Sequence, residues 1–420
     1  MLDKILAIYS DYYAYKEIIS SKVIDMGEGF YDLSSFPVPK PLSDAIAHRA
    51  LIQDVNYYLD PYYEQLVKKR IAQFLSVEGD YGEQDITMTS GGMFGHHLLA
   101  MAFNKFFKGA RIKILIVKPC FSQKLIPYLQ LLNAEIFEFN YMEAEKGEAV
   151  LNGTYDIAIL DYPTWPQGSY LDKERISKIL ENSRFLIIDE TQNNLSREYH
   201  PILLNSPKIF RINSLSKEVG ITYVGFIVHK QSFLTRYLKE SYWSFSGFDT
   251  LKLSAIKKLY EYKILTQTVN IDNQKELIDT FKADQCKYIQ NINCSCEVDD
   301  YNDIFYLTEA IEKRIKTLEN RKKQIFKALE NHINKGHVVL FPHEAGMNIL
   351  IGFLNTPKYN WDDIDFQTTE GKFFLTPGDI FLTKTYENFS LFRMTILSLD
   401  DQKWNTGIER IKDFLDTIYL

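Results

Sequence analysis

A chain of 420 residues that is 45% hydrophobic can bury a large core, and its length predicts two domains or one large domain with an appendage. A net charge of -7 excludes the basic footprint of a nucleic-acid binder and gives no polybasic membrane signal. Apolar runs of about 18 residues are absent, and the start Met1-Leu2-Asp3-Lys4-Ile5-Leu6 lacks signal-peptide character, so a cytoplasmic protein is expected.

The middle of the chain alternates β-rich runs with helical patterns. Ile112 to Val117 reads as a strand, Lys124 to Leu132 as a helix, and Ala134 to Phe139 as a second strand. Ile157 to Asp161 follows, then a helical segment from Asp172 to Leu180, then strands over Phe185 to Asp189, Ile209 to Asn213 and Tyr223 to Val228. Strands alternating with helices predict an α/β fold whose central sheet is mostly parallel and covered by helices. Ligands of such sheets lie beyond the carboxyl ends of the strands, where Asp161, Asp189 and Ser214 to Lys217 fall.

A helical stretch runs from about Thr250 to His337. Within it, Ile311, Ile315, Leu318, Ile325, Leu329 and Ile333 carry amphipathic spacing, and the polar tract 272–303 reads as an insertion. Four cysteines do not make a disulfide scaffold; Cys294 and Cys296, with Cys286 nearby, lack zinc-knuckle spacing and read as surface thiols, and no metal is expected. After Gly336 the pattern turns to strands at Val338 to Phe341, Met347 to Phe353, Phe373 to Leu375 and Ser390 to Ile396. A terminal helix covers Asp400 to Tyr419. The expected division is an N-terminal arm (1–45), a large cofactor domain (46–305) and a smaller α+β domain (306–420).

Two strand ends carry chemistry. Ile187-Ile188-Asp189-Glu190 ends in acids, and the next strand runs into Ser214-Leu215-Ser216-Lys217. A lysine at the mouth of an α/β site is the amine of a Schiff base. An acid on a neighbouring strand is what a protonated pyridine nitrogen needs, and the pair points to pyridoxal 5'-phosphate.

In this order the segments resemble the class I/II aminotransferases, the aspartate aminotransferase-like branch of fold type I pyridoxal phosphate enzymes. The resemblance runs through Asp25 to Gly29, Phe36 to Pro39, Tyr58 to Pro61, Leu66 to Ile71 and Thr87 to Gly92. It continues through Lys118 to Phe121, Pro163 to Gly168, Asp189-Glu190, Ser214 to Lys217, Thr376 to Gly378 and Phe392 to Met394. It implies that Lys217 is the Schiff-base lysine and proton shuttle, and that Asp189 partners the pyridine nitrogen. It implies further that Gly91, Gly92 and Met93 open the helix that holds the phosphate, that Ser214 and Ser216 face that phosphate, and that Phe121 stacks on the ring. Arg393 matches the arginine that grips the substrate α-carboxylate. Sitting in an apolar strand, it should have an anionic partner. Tyr58 matches a tyrosine that reaches the phosphate of a neighbouring subunit, which implies a homodimer with shared sites.

Three family positions are changed. Trp165 stands where an asparagine normally hydrogen-bonds the cofactor's phenolic oxygen. Gln192 replaces the tyrosine three residues after the aspartate. Tyr223 stands where a second phosphate ligand, an arginine, is expected, in a register that is shortened after Lys217. Losing that arginine removes a charge-assisted contact of about 1.5–3 kcal/mol, or about ten- to a hundredfold in cofactor affinity. The resemblance implies an enzyme acting at the α-carbon of an amino acid, with transfer of the amino group to a 2-oxo acid as the default. A lyase, decarboxylase or cyclase of a specialised biosynthetic pathway stays open, as does a degenerate cofactor-binding protein without activity.

Overall fold

The computed structural model describes residues 1–18, 22–52, 61–143, 147–193, 206–230, 233–242, 249–268, 270–289, 301–356 and 372–419. Its helices are α1 (Leu2–Ile18), α2 (Lys40–Ile52), α3 (Pro61–Leu75), α4 (Gly92–Phe107), α5 (Ile126–Leu131), α6 (Lys173–Glu181), α7 (Phe233–Tyr242), α8 (Leu253–Gln267), α9 (Ile271–Ile289), α10 (Tyr301–Asn334) and α11 (Asp401–Tyr419). The principal strands are β1 (Ile86–Thr89), β2 (Ile112–Lys118), β3 (Ala134–Asn140), β4 (Tyr155–Asp161), β5 (Ser183–Asp189), β6 (Ile209–Ser214), β7 (Gly225–His229), β8 (Val338–Leu340), β9 (Asn348–Leu354) and β10 (Phe389–Thr395). The chain divides into two compact units, one of residues 1–36, 107–199 and 314–420, the other of residues 37–106 and 200–313.

In the first unit β2 pairs in parallel with β3 and β4, and β4 with β5. The inner strands are buried nearly end to end, the mark of a parallel sheet covered on both faces. All four strands run the same way, so Lys118, Asp161 and Asp189 close them at one edge. The mostly parallel α/β fold expected from the sequence is therefore present. Asp172 caps α6 by accepting from the Arg175 N–H at 2.8 Å, which fixes the start of that helix.

A second sheet in this unit pairs β9 antiparallel with β8 and β10. Its apolar face packs Ile349, Ile351, Phe392 and Met394 against Leu318, Ile325 and Leu329 of α10 and Trp404 and Ile411 of α11. The amphipathic spacing over residues 311–333 is thus spent on core packing. In the second unit β7 pairs antiparallel with β1 and β6, and helices α3, α8 and α9 cover them. A buried network ties those helices together: Arg70 Nε donates to Glu261 at 2.8 Å, Lys257 Nζ to the same carboxylate at 3.0 Å, and Arg70 Nη1 to Asp284 at 3.0 Å.

The cysteine reading needs correction, because Cys286 on α9 is disulfide-bonded rather than a surface thiol. Cys120 is free and fully buried, and burial pushes its thiol up to about 11. Cys294 and Cys296 lie outside the described residues.

Candidate active site

In the first unit, the register of β4 and β5 sets Asp161 directly beside Asp189, so two carboxylates leave neighbouring strand ends together. Like charges at that separation repel unless a cation joins them. Lys124 supplies it. Its ammonium, fully buried, pairs with Asp161 Oδ1 and lies 3.6 Å from Asp189 Oδ2. The lysine belongs to a short 3₁₀ turn (Ser122–Leu125) that follows β2, with Phe121 at its N-cap. The remaining carboxylate oxygens meet backbone: Asp161 Oδ2 accepts from the Phe121 N–H at 3.2 Å, and Asp189 Oδ1 from the Thr191 N–H at 3.0 Å. Two acids and one ammonium leave one net negative charge.

Phe121 also begins an aromatic cluster. Its ring meets Trp165 edge-on at 4.6 Å between centroids, and Trp165 meets Phe381 at 5.0 Å in the same fashion. Tyr9 of α1 approaches Phe121 at 6.1 Å. The Arg393 guanidinium, 4% exposed, lies 5.3 Å from both the Trp165 and Phe381 centroids. Its Nη2 donates to the Gly27 carbonyl and, at 2.9 Å, to Thr376 Oγ1, while Nε has no hydrogen-bond partner.

The expected anionic partner of Arg393 is absent among the described residues. A carbonyl, a hydroxyl and two ring faces take its place, and the Tyr12 and Tyr9 phenols and the Glu28 and Asp25 carboxylates act only through space. Burial outweighs them and lowers its pKa below the usual arginine value. The same burial raises the phenols of Tyr9 and Tyr12. Gly27 makes this close approach possible: a Cβ there would stand 2.6 Å from Thr376 Oγ1 and 2.7 Å from the Thr376 nitrogen.

Trp165 is buried, and its Nε1–H has no hydrogen-bond partner. Gln192 is buried beside Gly346, with its Oε1 likewise unpartnered. The Trp165 N–H is a donor that a ring oxygen would satisfy, whereas Gln192 Oε1 is an acceptor and calls for a donor.

The second unit carries the other predicted residues. Gly91 takes φ +91°, a backbone conformation that glycine adopts without strain, and α4 starts at Gly92 with Met93 next. The first N–H groups of such a helix have no partners within it. Close by, Ser214 Oγ donates to the Val224 carbonyl at 3.1 Å and lies 3.2 Å from Ser216 Oγ. Lys217 is half-buried in the turn that follows β6. Tyr223 sits at φ +60° and is 70% exposed, and its Cα would lie 3.8 Å from a Cβ on Gly91. The structure thus gathers Asp189, Phe121, Trp165 and Arg393 in one unit, and Gly91, Ser214, Ser216, Lys217 and Tyr223 in the other. Tyr58 lies outside the described residues.

Sequence reasoning gave no role to Lys124, Asp161, Phe381 or Gly27. Asp161 was visible as a strand end, and Lys124 as the residue three after Phe121. Only the strand register shows that they meet.

The chain matches the family model of aminotransferase class I and II over residues 21–411. Among solved structures it is similar to an aspartate aminotransferase from Thermotoga maritima (18% identity, 98% of this chain and 97% of that one, TM-score 0.68). It is also similar to an aromatic aminotransferase from Pyrococcus horikoshii (17% identity, 95% and 97%, TM-score 0.69). A third is a Methanococcus jannaschii protein described as similar in its active site to kynurenine aminotransferases (19% identity, 98% and 95%, TM-score 0.69). No curated protein matches the chain.

Proposed function

The chain belongs to the class I and II aminotransferases, whose cofactor is pyridoxal 5'-phosphate, and from that premise we propose that it moves an amino group from an amino acid to a 2-oxo acid. The observation that carries this reading is Arg393, a buried guanidinium to which no carboxylate among the described residues is bonded. Such a charge is costly to hold unless an anion completes it, and a substrate α-carboxylate matches its planar fork.

When bound, pyridoxal phosphate supplies an aldehyde that condenses with amines and a ring that takes up electrons released at the substrate α-carbon. The donor set fits it. A net negative carboxylate cluster suits a protonated ring nitrogen, and the orphan Trp165 Nε1–H suits a phenolic oxygen. In the reading proposed, Asp189 holds the proton on that nitrogen, Phe121 stacks against the ring, and Trp165 and Gln192 lie along its phenolic side. The N–H groups at Gly91, Gly92 and Met93, with Ser214 and Ser216, hold the phosphate, and Tyr223 occupies the position of the missing arginine. Lys217 would hold the aldehyde through its Nζ, and its amine, when free, would move a proton at the substrate α-carbon.

Family members are typically dimeric, and a homodimer sharing Tyr58 across subunits belongs to the same reading. No helix among the described residues is long and apolar enough to cross a membrane. The cytoplasmic placement expected from the sequence stands against the Cys286 disulfide, because such bonds are rare in reducing compartments.

The test is spectroscopic. Purified protein supplied with the cofactor should show an absorption band between about 410 and 430 nm, and borohydride should fix the label on the Lys217 peptide. Lys217→Ala should lose both the band and turnover. A colourless protein that stays colourless with added cofactor would overturn the reading.

A further inference from the structure

Lys124 is a buried cation that the proposed chemistry does not use, and its surroundings define what it does. It is fully buried, Asp161 and Asp189 flank it, and the strand register holds those carboxylates side by side. A lysine placed against Asp189 alone would neutralise it and leave nothing to hold a proton on a pyridine nitrogen. Asp161 alone would double the negative charge. Together they cancel, and Asp189 keeps the one charge that remains.

We infer that Lys124 and Asp161 form a charge-balanced positioning pair that fixes Asp189 and sets the protonation of the cofactor's ring nitrogen. Lys124 acts as a positioning residue, through Asp189. Its proximity to Asp189 Oδ2 and the Thr191 N–H on Oδ1 orient that carboxylate from two sides. Asp161 also accepts from the Phe121 N–H, so the same pair anchors the backbone of the stacking residue.

This inference rests on the reading of Asp189 given above, and the experiment separates the two. The ring nitrogen of ¹⁵N-labelled pyridoxal phosphate is observed by NMR in the holoprotein, and cofactor affinity is measured by titrating the cofactor-free form. The wild type should show a protonated nitrogen at pH 8. Asp161→Asn, which is isosteric, frees Lys124 to neutralise Asp189. The nitrogen resonance should move toward the neutral form, and affinity should fall about tenfold. The double variant Asp161→Asn/Lys124→Met restores one net negative charge, so the protonated resonance should return with affinity within about threefold of wild type.

A resonance unmoved in Asp161→Asn, or a double variant that stays as weak as the single one, would overturn the inference. Asp189→Asn is the control. If it leaves the nitrogen protonated and the affinity intact, the reading of Asp189 falls and takes the inference with it. If it deprotonates the nitrogen while Asp161→Asn does nothing, that reading stands and only the charge balance fails. Should Asp161→Asn not fold, Lys124→Met carries the test. Without the ammonium the adjacent carboxylates relieve their repulsion by taking up a proton themselves, so the ring nitrogen should lose its proton at a pH at least one unit below wild type; no such fall would refute the inference.

Discussion

Replacing Arg393 by glutamine should separate a carboxylate grip from a structural salt bridge, because the two predict opposite signs for stability. In the cofactor-free protein the guanidinium is buried with neutral hydrogen-bond partners and two ring faces. The ring contacts are worth about 0.5–2 kcal/mol each, and a neutral amide can keep one bond to Gly27. Against that loss stands relief from burying a charge without an anion, which is itself several kcal/mol. The melting temperature of the cofactor-free variant should therefore hold or rise. Catalysis should move the other way. Removing one partner of a buried charge pair costs about 2–5 kcal/mol, or about 30- to 4,000-fold in kcat/KM.

The decisive assay compares an amino acid with the amine that lacks its carboxylate, followed through the absorbance of the bound cofactor. Wild type should prefer the amino acid strongly, and Arg393→Gln should lose most of that preference while its rate with the amine stays within about threefold of wild type. A melting temperature lower by more than about 5 °C together with an unchanged preference would refute the argument and make Arg393 a structural residue.

Three further outcomes follow. Trp165→Phe keeps the ring packing but removes the unpartnered N–H; if that group serves the phenolic oxygen, the cofactor band or its pH dependence should shift, and an identical spectrum would place Trp165 elsewhere. Gly27→Ala forces a methyl to within 2.6 Å of Thr376 Oγ1, and overpacking of that kind costs about 1–3 kcal/mol; it should lower both melting temperature and kcat/KM, whereas a neutral result would mean the neighbouring strand yields freely. Burial pushes His343 down to about 3 and His229 down to about 4, so both stay neutral in the fold while the unfolded chain protonates them below about pH 6.5. Stability should be flat in these groups above that pH and fall as the pH drops, by up to about 1.4 kcal/mol per unit for each histidine; an unfolding titration in which His229→Gln leaves the slope between pH 6.5 and 4 unchanged would contradict this.

Much of the fold was legible because its signals are local. The runs ending in Asp161 and Asp189 are buried parallel strands whose apolar continuity needs no knowledge of their neighbours, and the periodicity over residues 311–333 foretold α10. The N-terminal helix α1 was not legible, since its apolar residues are spread around its circumference and no stripe marks its buried side. Chemistry divided along the same line. Lys217 and Asp189 announce themselves by type at strand ends. Arg393 did so by standing in an apolar strand, although elementary charge pairing then predicted a carboxylate that the structure replaces with Gly27 and Thr376.

Lys124 is the instructive failure. A lone lysine at the start of a helical segment reads as a solvated charge, and lysine is rarely buried without a partner. Its meaning is a three-body property. It exists only after β4 and β5 pair in the register that sets Asp161 beside Asp189, and after the turn at Ser122 drives Lys124 inward. Neither carboxylate alone requires a buried ammonium. Two carboxylates at adjacent strand ends do, because their mutual repulsion would otherwise be relieved by protonating one of them. A site built to hold a proton on a ligand cannot give that proton to its own acids, which makes Lys124 as much a condition of the proposed chemistry as Asp189.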